Sequence, residues 1–304
     1  MQQFTAGVLI LFIVFSGISC GDREELNIYS ARHYNTDLKL YDAFTERTGI
    51  KINLIEGGSD ELIERIKSEG INSPADILIT VDAGRLWRAE EAGILQPVHS
   101  ELLNSVIPDE LKDPDGHWFG FSRRVRGIIY NKERVNPNEL KGYWELTDEV
   151  WRNRLCVRSS NNIYNQSLVA SLIETRGIDE TEKWVEMLVA NFARSPQGGD
   201  TDQIKAVATG QCDIAIANHY YLARLATSSD ENDRLIAELV GIYFPNKANG
   251  GTHVNISGAG VLKHSPNRSN AIRFLEYLTE DEPQHLFSVG NLEYPVSESF
   301  KLPD

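Results

Sequence analysis

Hydrophobic and polar residues follow a pattern that predicts strands and helices in turn along most of the chain. Short apolar runs predict buried strands at residues 26–30, 51–55 and 75–81. Between the first two, Leu40, Tyr41 and Phe44 share one face of a predicted helix that ends at Gly49. Because strands and helices alternate, the pattern predicts an α/β fold with a parallel sheet covered by helices.

The alternation is interrupted between residues 113 and 131, where extended segments follow one another without a helix. We interpret this segment as a crossing into a second lobe, with a hinge and a cleft between the lobes. The predicted division is as follows: a signal peptide at 1–20, a first lobe at 22–122 to which 250–285 returns, a second lobe at 123–249, and a C-terminal tail at 286–304 that packs across the lobes.

The N-terminal segment predicts export. Residues 1–21 carry no charged side chain, and the apolar run at 4–18 ends in small residues before Cys20, as in a cleaved secretory signal. An uncleaved N-terminal anchor is the alternative, since the segment lacks Lys and Arg. Gly17 stands where a lipidation signal usually has Leu, so a periplasmic location is favoured over a lipid anchor on Cys20. The other cysteines, Cys156 and Cys212, either pair or are buried as small apolar residues.

Composition narrows the function. The 304 residues are 41% hydrophobic, which suffices for two folded domains. A formal net charge of −14 disfavours nucleic acid and anionic membranes as partners. The sequence shows no HExxH, GxSxG or GxxxxGK[ST] motif and no visible nucleophile–base pair, so we do not predict an enzyme.

Tyrosine follows three predicted strands, which are those at 26–30, 155–158 and 212–217. Tyr34, Tyr164 and the doublet Tyr220–Tyr221 lie beyond strand ends, where open α/β sheets bind ligands. A phenol titrates at about pH 10, but a hard, highly charged cation displaces its proton and binds the oxygen. Packing, stacking or hydrogen bonding at a cleft rim is the alternative. Four phenolates around Fe³⁺ would leave one negative charge, and the candidates to offset it are Arg32, His33, Arg126 and Arg224.

Three motifs in order resemble the iron-site motifs of periplasmic ferric-ion-binding proteins, and most closely the cyanobacterial FutA (IdiA) type. They are Arg-His-Tyr-Asn at 32–35, Asn-Asn-Ile-Tyr-Asn-Gln-Ser-Leu at 161–168 and Asn-His-Tyr-Tyr-Leu-Ala-Arg-Leu at 218–225. The likeness spans about residues 26–300 and includes the segments at 120–127, 198–204 and 251–258.

The resemblance implies a two-lobed type II periplasmic-binding-protein fold and iron transport with an inner-membrane ABC transporter permease. The implied iron ligands are the four tyrosines at 34, 164, 220 and 221. His33 either ligates iron or only neighbours it, and Arg224 supplies a nearby charge. Arg126 has either that role or a structural salt bridge. A monomer that binds Fe³⁺ is expected. If Arg224 moves in or out, Fe²⁺ would also be tolerated. The alternative function is binding of a small organic solute by the same fold.

Overall fold

The computed structural model describes residues 24–32, 34–245, 251–297 and 300. The predicted signal peptide and His33 therefore lie outside the described residues. The strands are β1 (Glu25–Ser30), β2 (Lys51–Glu56), β3 (Ile77–Val81), β4 (Phe119–Asn131), β5 (Leu155–Cys156), β6 (Ile214–Asn218), β7 (Val240–Tyr243), β8 (Val254–Val261) and β9 (Tyr294–Pro295). No helix in this part of the chain is long and apolar enough to cross a membrane.

The helices confirm the predicted alternation. They are α1 (Asn35–Thr48), α2 (Ser59–Glu69), α3 (Ala83–Glu91), α4 (Glu101–Val106), α5 (Ile163–Arg176), α6 (Ile178–Ala190), α7 (Asp200–Ala208), α8 (His219–Ala226), α9 (Glu231–Leu239), α10 (Arg268–Tyr277) and α11 (Asp281–His285). Helix α1 buries Leu40, Tyr41 and Phe44, as its sequence pattern predicts. It ends at Gly49, whose φ of 76° suits a residue without a Cβ atom.

The strands form one sheet in the order β2-β1-β3-β8-β4-β6-β5, with β7 and β9 also paired to β4. Strand β1 is parallel to β2 and β3, and β5 is parallel to β6. Strand β8 is antiparallel to β3 and β4, and β4 is antiparallel to β6. The predicted parallel pairing is found at both ends of the sheet, whereas β4 and β8 at its centre pair antiparallel with their neighbours. The crossing predicted at 113–131 contains β4. The two central strands carry the chain between the lobes instead of belonging to a strand–helix–strand unit.

Each end of the sheet has its own hydrophobic core. We call the part around β1, β3 and α1 lobe 1 and the part around β6, α5 and α6 lobe 2. Strand β4 belongs to both, because Phe119 and Phe121 pack in lobe 1 while Ile128 and Ile129 pack in lobe 2. The two-lobed α/β architecture agrees with the prediction, and the residue boundaries proposed for the lobes stay a prediction.

The two cysteines left open by the sequence are both paired and buried. A disulfide joins Cys156 at the end of β5 to Cys212, just before β6, across 56 residues of sequence. Both side chains lie in the core of lobe 2, at 0% and 2% exposure. Because β5 is an edge strand of only two residues, this covalent link helps to hold it against β6.

Candidate metal centre

The three tyrosine motifs meet where the lobes face each other. Tyr34 precedes α1 in lobe 1, while Tyr164 and the doublet Tyr220–Tyr221 lie in the first turns of α5 and α8 in lobe 2. The hydroxyl oxygens of Tyr164 and Tyr220 are 3.5 Å apart. The rings of Tyr220 and Tyr221 have centroids 4.4 Å apart. The guanidinium carbon of Arg224 lies 4.6 Å from the centre of the Tyr34 ring and 4.8 Å from that of Tyr220, which joins the two lobes' tyrosines into one cluster.

Local structure fixes where these helices begin. The side-chain oxygen of Asn162 accepts a hydrogen bond from the backbone N–H of Tyr164 at 3.0 Å, which caps α5. The backbone N–H of Asn218 donates to the buried carboxylate of Asp200 at 2.9 Å, directly before α8. Since Tyr164 and Tyr220 lie in first turns, their side chains project from the strand-end side of lobe 2, where the sequence predicts a ligand.

Burial keeps several of these phenols protonated in the absence of an ion. Tyr220 is fully buried, and Tyr34 and Tyr221 are half-buried. Burial raises the pKa of Tyr34, raises that of Tyr220 well above its ordinary value, and raises that of Tyr221 to about 12. The negative charge that neighbouring phenols would carry raises each of these pKa values further. A cation that binds here must therefore displace protons.

Arginine side chains from both lobes lie beside the candidate tyrosines. Those within about 6 Å of the ring centre of Tyr34, Tyr164, Tyr220 or Tyr221 are Arg32, Arg124, Arg126, Arg158 and Arg224. The carboxylates that pair with them are Asp37, Asp200 and Glu293. With the buried carboxylate of Asp82, whose charge also acts on Arg124, five guanidinium groups face four carboxylates, so one positive charge is in excess and the surrounding charge favours phenolates over neutral phenols.

Of these five arginines, Arg224 is the one without a carboxylate partner among the described residues. It makes no ion pair or hydrogen bond with any described residue, yet it lies over the rings of Tyr34, Tyr220 and Tyr221. Its guanidinium thus lies next to three phenols, two of them on its own helix, and no described carboxylate neutralises its charge. This geometry is consistent with the role suggested by the sequence, that of a positive charge beside the tyrosines.

Arg126 has both of the roles that the sequence left open, a structural salt bridge and a positive charge near the tyrosines. Its Nη1 pairs with Asp200 at 3.1 Å and donates to Asn218 at 3.1 Å, and its Nη2 donates to Asn165 at 2.6 Å. Its guanidinium carbon is also 5.9 Å from the centre of the Tyr164 ring. Arg126 therefore forms a structural salt bridge and also adds charge beside a candidate ligand.

Sequence reasoning missed Glu293. This carboxylate is 2% exposed and accepts a hydrogen bond from Arg32 at 3.1 Å. It also accepts from the hydroxyl of Ser122. Arg32 and Arg124, together with the Ser122 hydroxyl, hold the pKa of Glu293 below its usual value despite burial. Its position depends on the pairing of β9 with β4 across 172 residues, which no local pattern indicates.

His219, in the third motif, has a structural role. Its Nδ1 accepts a hydrogen bond from the backbone N–H of Val125 at 3.1 Å, and its ring stacks on Tyr294 at 4.7 Å between centroids. Burial lowers the pKa of His219, so the ring is neutral and suited to this acceptor role. The side chain is thus held between β4 and the C-terminal segment.

One other group of possible metal ligands occurs among the described residues. Glu90, Asp113 and His117 bring their ligand atoms within 4.8 Å of one another. Hydrogen bonds account for the arrangement. His117 Nδ1 bonds to Asp113 at 2.9 Å, and the indole N–H of Trp118 donates to Glu90 at 2.9 Å. This group contains none of the residues predicted for the tyrosine site, and its contacts brace the turn before β4.

Comparison with known proteins places the chain in a family. The sequence profile described as bacterial extracellular solute-binding protein matches residues 72–304. The chain belongs to this family. It is 56% identical to iron uptake protein A1 of Synechocystis sp. (strain ATCC 27184 / PCC 6803 / Kazusa), over 91% of this chain and 77% of that protein. It is 28% identical to the Fe(3+)-binding periplasmic protein of Serratia marcescens, over 94% of this chain and 83% of that protein.

Solved structures of family members agree with the fold. The structure described as Trichodesmium (IdiA) (FutA) in complex with iron and citrate ligands superposes with a TM-score of 0.89 at 57% identity, covering 92% of this chain and 89% of that one. Apo FutA2 from Synechocystis PCC6803 gives a TM-score of 0.87 at 54% identity, covering 92% and 88%. The resemblance to the FutA (IdiA) type is confirmed, as is the two-lobed periplasmic-binding-protein fold.

Proposed function

We propose that this solute-binding protein captures one Fe³⁺ ion with the phenolate oxygens of Tyr34, Tyr164, Tyr220 and Tyr221 and delivers it to an ABC importer. The observation that carries the proposal is the convergence of four phenols from both lobes on one arginine-rich cleft. Hard oxygen donors suit a small, highly charged cation better than thiolates do. The iron ion is the cargo of the site rather than a resident cofactor.

The charges support a trivalent ion. Fe³⁺ with four phenolates carries one net negative charge, which the unpaired Arg224 is placed to offset. The nearby carboxylates Asp37, Asp200 and Glu293 are already paired with arginine. That of Asp82 is occupied by hydrogen bonds from Gly84, Ser167 and Asn255, so the phenols are the donors that remain for an ion among the described residues. With Fe²⁺ the same ligands would carry two negative charges and would need more compensation. We therefore propose Fe³⁺ as the preferred ion and Fe²⁺ as a weaker one.

Names of the relatives support the transport role. The proteins that resemble this chain are called iron uptake protein A1, Fe(3+)-binding periplasmic protein and major ferric iron-binding protein. On this basis we propose a monomeric, non-enzymatic protein of the periplasm whose membrane partner is an ABC transporter permease. His33 is proposed either as a further ligand or as a neighbour of the ion.

An organic solute fits this site less well. Binding such a solute by stacking requires free ring faces, but Arg224 already lies over three of the four rings. Three further arginines lie over the fourth, that of Tyr164. Because a guanidinium competes for each ring, the hydroxyl oxygens are the groups best placed to bind a ligand, which favours an ion over an aromatic or sugar ligand.

A visible titration tests the proposal. One equivalent of a ferric chelate, added to the purified protein, should produce an orange-red phenolate-to-iron charge-transfer band. The triple variant Tyr164→Phe, Tyr220→Phe, Tyr221→Phe should lack this band. Tyr243→Phe is the matched control, since its hydroxyl donates to the backbone oxygen of Lys141 outside the site.

The outcomes separate the two functions. A colourless wild-type protein that binds a small organic solute would refute iron capture. A band of wild-type position and intensity in the triple variant would refute ligation by these three tyrosines while leaving iron binding in place. His33→Ala in the same titration tests whether His33 binds the ion. Loss of a nitrogen ligand would move the maximum of the charge-transfer band, whereas loss of a residue that only neighbours the ion would not.

A further inference from the structure

Asp82 occupies a strained position at the end of β3. Its φ of 89° and ψ of 124° lie in a region that residues with a Cβ atom rarely adopt. Its side chain is nevertheless a carboxylate with 0% exposure. Strain of this kind persists only where surrounding contacts fix the residue, and it concentrates at functional positions. Asp82 is therefore a candidate for a role beyond capping the helix that follows it.

Its contacts join the two lobes. One carboxylate oxygen accepts the hydroxyl of Ser167 at 2.5 Å and the backbone N–H of Gly84 at 3.0 Å. The other accepts the side-chain amide of Asn255 at 2.8 Å. Asp82 ends a lobe 1 strand, Ser167 lies on lobe 2 helix α5, and Asn255 lies on the connecting strand β8. The Ser167 bond thus crosses the cleft.

The lobe 2 partner is close to a candidate iron ligand. Ser167 follows Tyr164 by three residues on α5, so the two side chains share one face of the helix. The guanidinium of Arg124, which lies 5.1 Å from the Tyr164 ring, donates to the backbone oxygen of Ile256 at 2.6 Å. That same oxygen accepts the backbone N–H of Asp82 at 2.8 Å. Helix α5 and strand β8 therefore both connect Tyr164 to Asp82.

We propose that Asp82 and Ser167 form a clasp that holds α5, and with it Tyr164, against lobe 1 when the cleft is closed. Opening of the lobes breaks the Ser167 bond and exposes the carboxylate. Hydrogen bonds to a charged acceptor in a buried place are stronger than neutral ones, so the bond stabilises the closed form. The clasp rests on the proposed function, since its effect is to slow the release of the bound ion. Asp82 and Ser167 act as positioning residues that do not touch the ion.

Removing one hydroxyl tests the clasp. Ser167→Ala should release iron about tenfold faster to an excess of chelator, which corresponds to about 1.4 kcal/mol. The charge-transfer band should keep its maximum and intensity, because the ligands are intact. Ser171→Ala is the control, since the Ser171 hydroxyl bonds within α5 to the backbone oxygen of Leu168 at 2.7 Å. It should release iron at the wild-type rate.

Thermal melting separates a clasp from a general packing role. Ser167→Ala should lower the melting temperature of the iron-loaded protein and leave that of the iron-free protein close to wild type. Equal release rates in Ser167→Ala and wild type would overturn the clasp, as would a displaced band, which would show that Ser167 sets ligand geometry. A wild-type protein with no band would instead refute the proposed function and, with it, any role of the clasp in retaining iron.

Discussion

Replacing Arg224 with methionine should weaken ferric binding by about tenfold. The guanidinium carbon lies 4.6 Å and 4.8 Å from two phenol ring centres, one in each lobe. At about 5 Å and an effective dielectric constant of about 20, one unit charge pair is worth about 3 kcal/mol. Because the side chain is only half-buried, solvent screens roughly half of this, leaving about 1.5 kcal/mol, or about a tenfold change.

Competition with a ferric chelator measures this change. The apparent affinity of Arg224→Met should fall at low ionic strength, and its difference from wild type should shrink as salt is added. Arg234→Met is the matched control, since Arg234 is exposed on α9 and bonds to the backbone oxygen of Ser228. Arg224→Lys keeps the charge and loses the planar stacking, so it should fall between wild type and Arg224→Met.

Unchanged or increased affinity in Arg224→Met would refute the charge argument. It would show that the site tolerates its net negative charge without this arginine. A loss in Arg224→Lys as large as in Arg224→Met would assign the effect to stacking on the rings rather than to charge.

Two further predictions concern stability. Burial, followed by the charges of Arg126 and Arg124, lowers the pKa of His253 to about 4. In the unfolded chain the pKa of histidine is about 6.5, so below this pH the unfolded state takes up a proton that the folded state does not. The stabilising contribution of the neutral ring is therefore complete above about pH 6.5, and it is lost as the pH falls toward 4. Because the side chain is partly exposed, we expect the free energy of unfolding, measured in denaturant melts, to fall by about 1–2 kcal/mol over this pH range. The variant His253→Gln should not show this fall. A variant with the pH dependence of the wild type would contradict the assignment to His253. Replacing Cys156 and Cys212 with alanine opens a loop of 56 residues and should lower the free energy of unfolding by up to about 4 kcal/mol. The folded variant should keep the charge-transfer band of bound iron. Equal stability with and without the disulfide would show that the hydrophobic core alone fixes β5.

The positions of the tyrosines after predicted strands were sufficient to predict that these side chains lie close together. Each candidate follows a strand whose apolar run is visible in a single sequence, and the carboxyl ends of such strands meet at one place. Arg124 and Arg126 are two residues apart on β4, so they share one face of the strand, and both lie near the Tyr164 ring. These features depend on local periodicity, which is why they could be predicted.

Contacts between distant segments could not be predicted. Glu293 reaches Arg32 only because β9 pairs with β4, and Asp82 reaches Ser167 only because the lobes meet. Neither residue lies in a motif whose spacing indicates its partner. The crossing at 113–131 was predicted, but the antiparallel orientation of β4 and β8 was not, since the apolar pattern of a strand does not indicate the direction of its neighbours.

The unequal division of the phenols between the lobes has a kinetic consequence. In the proposed site three of them project from lobe 2 and one, Tyr34, from lobe 1. An incoming ion can therefore dock on the larger set while the cleft is open, in a step whose rate rises with iron concentration. Tyr34 then arrives by rotation of a whole lobe, at a rate that iron concentration does not change. Uptake of iron should therefore show two kinetic phases. Release should begin with breaking of the bond to Tyr34, which would leave the ion bound to lobe 2 alone and accessible to the next iron-binding group.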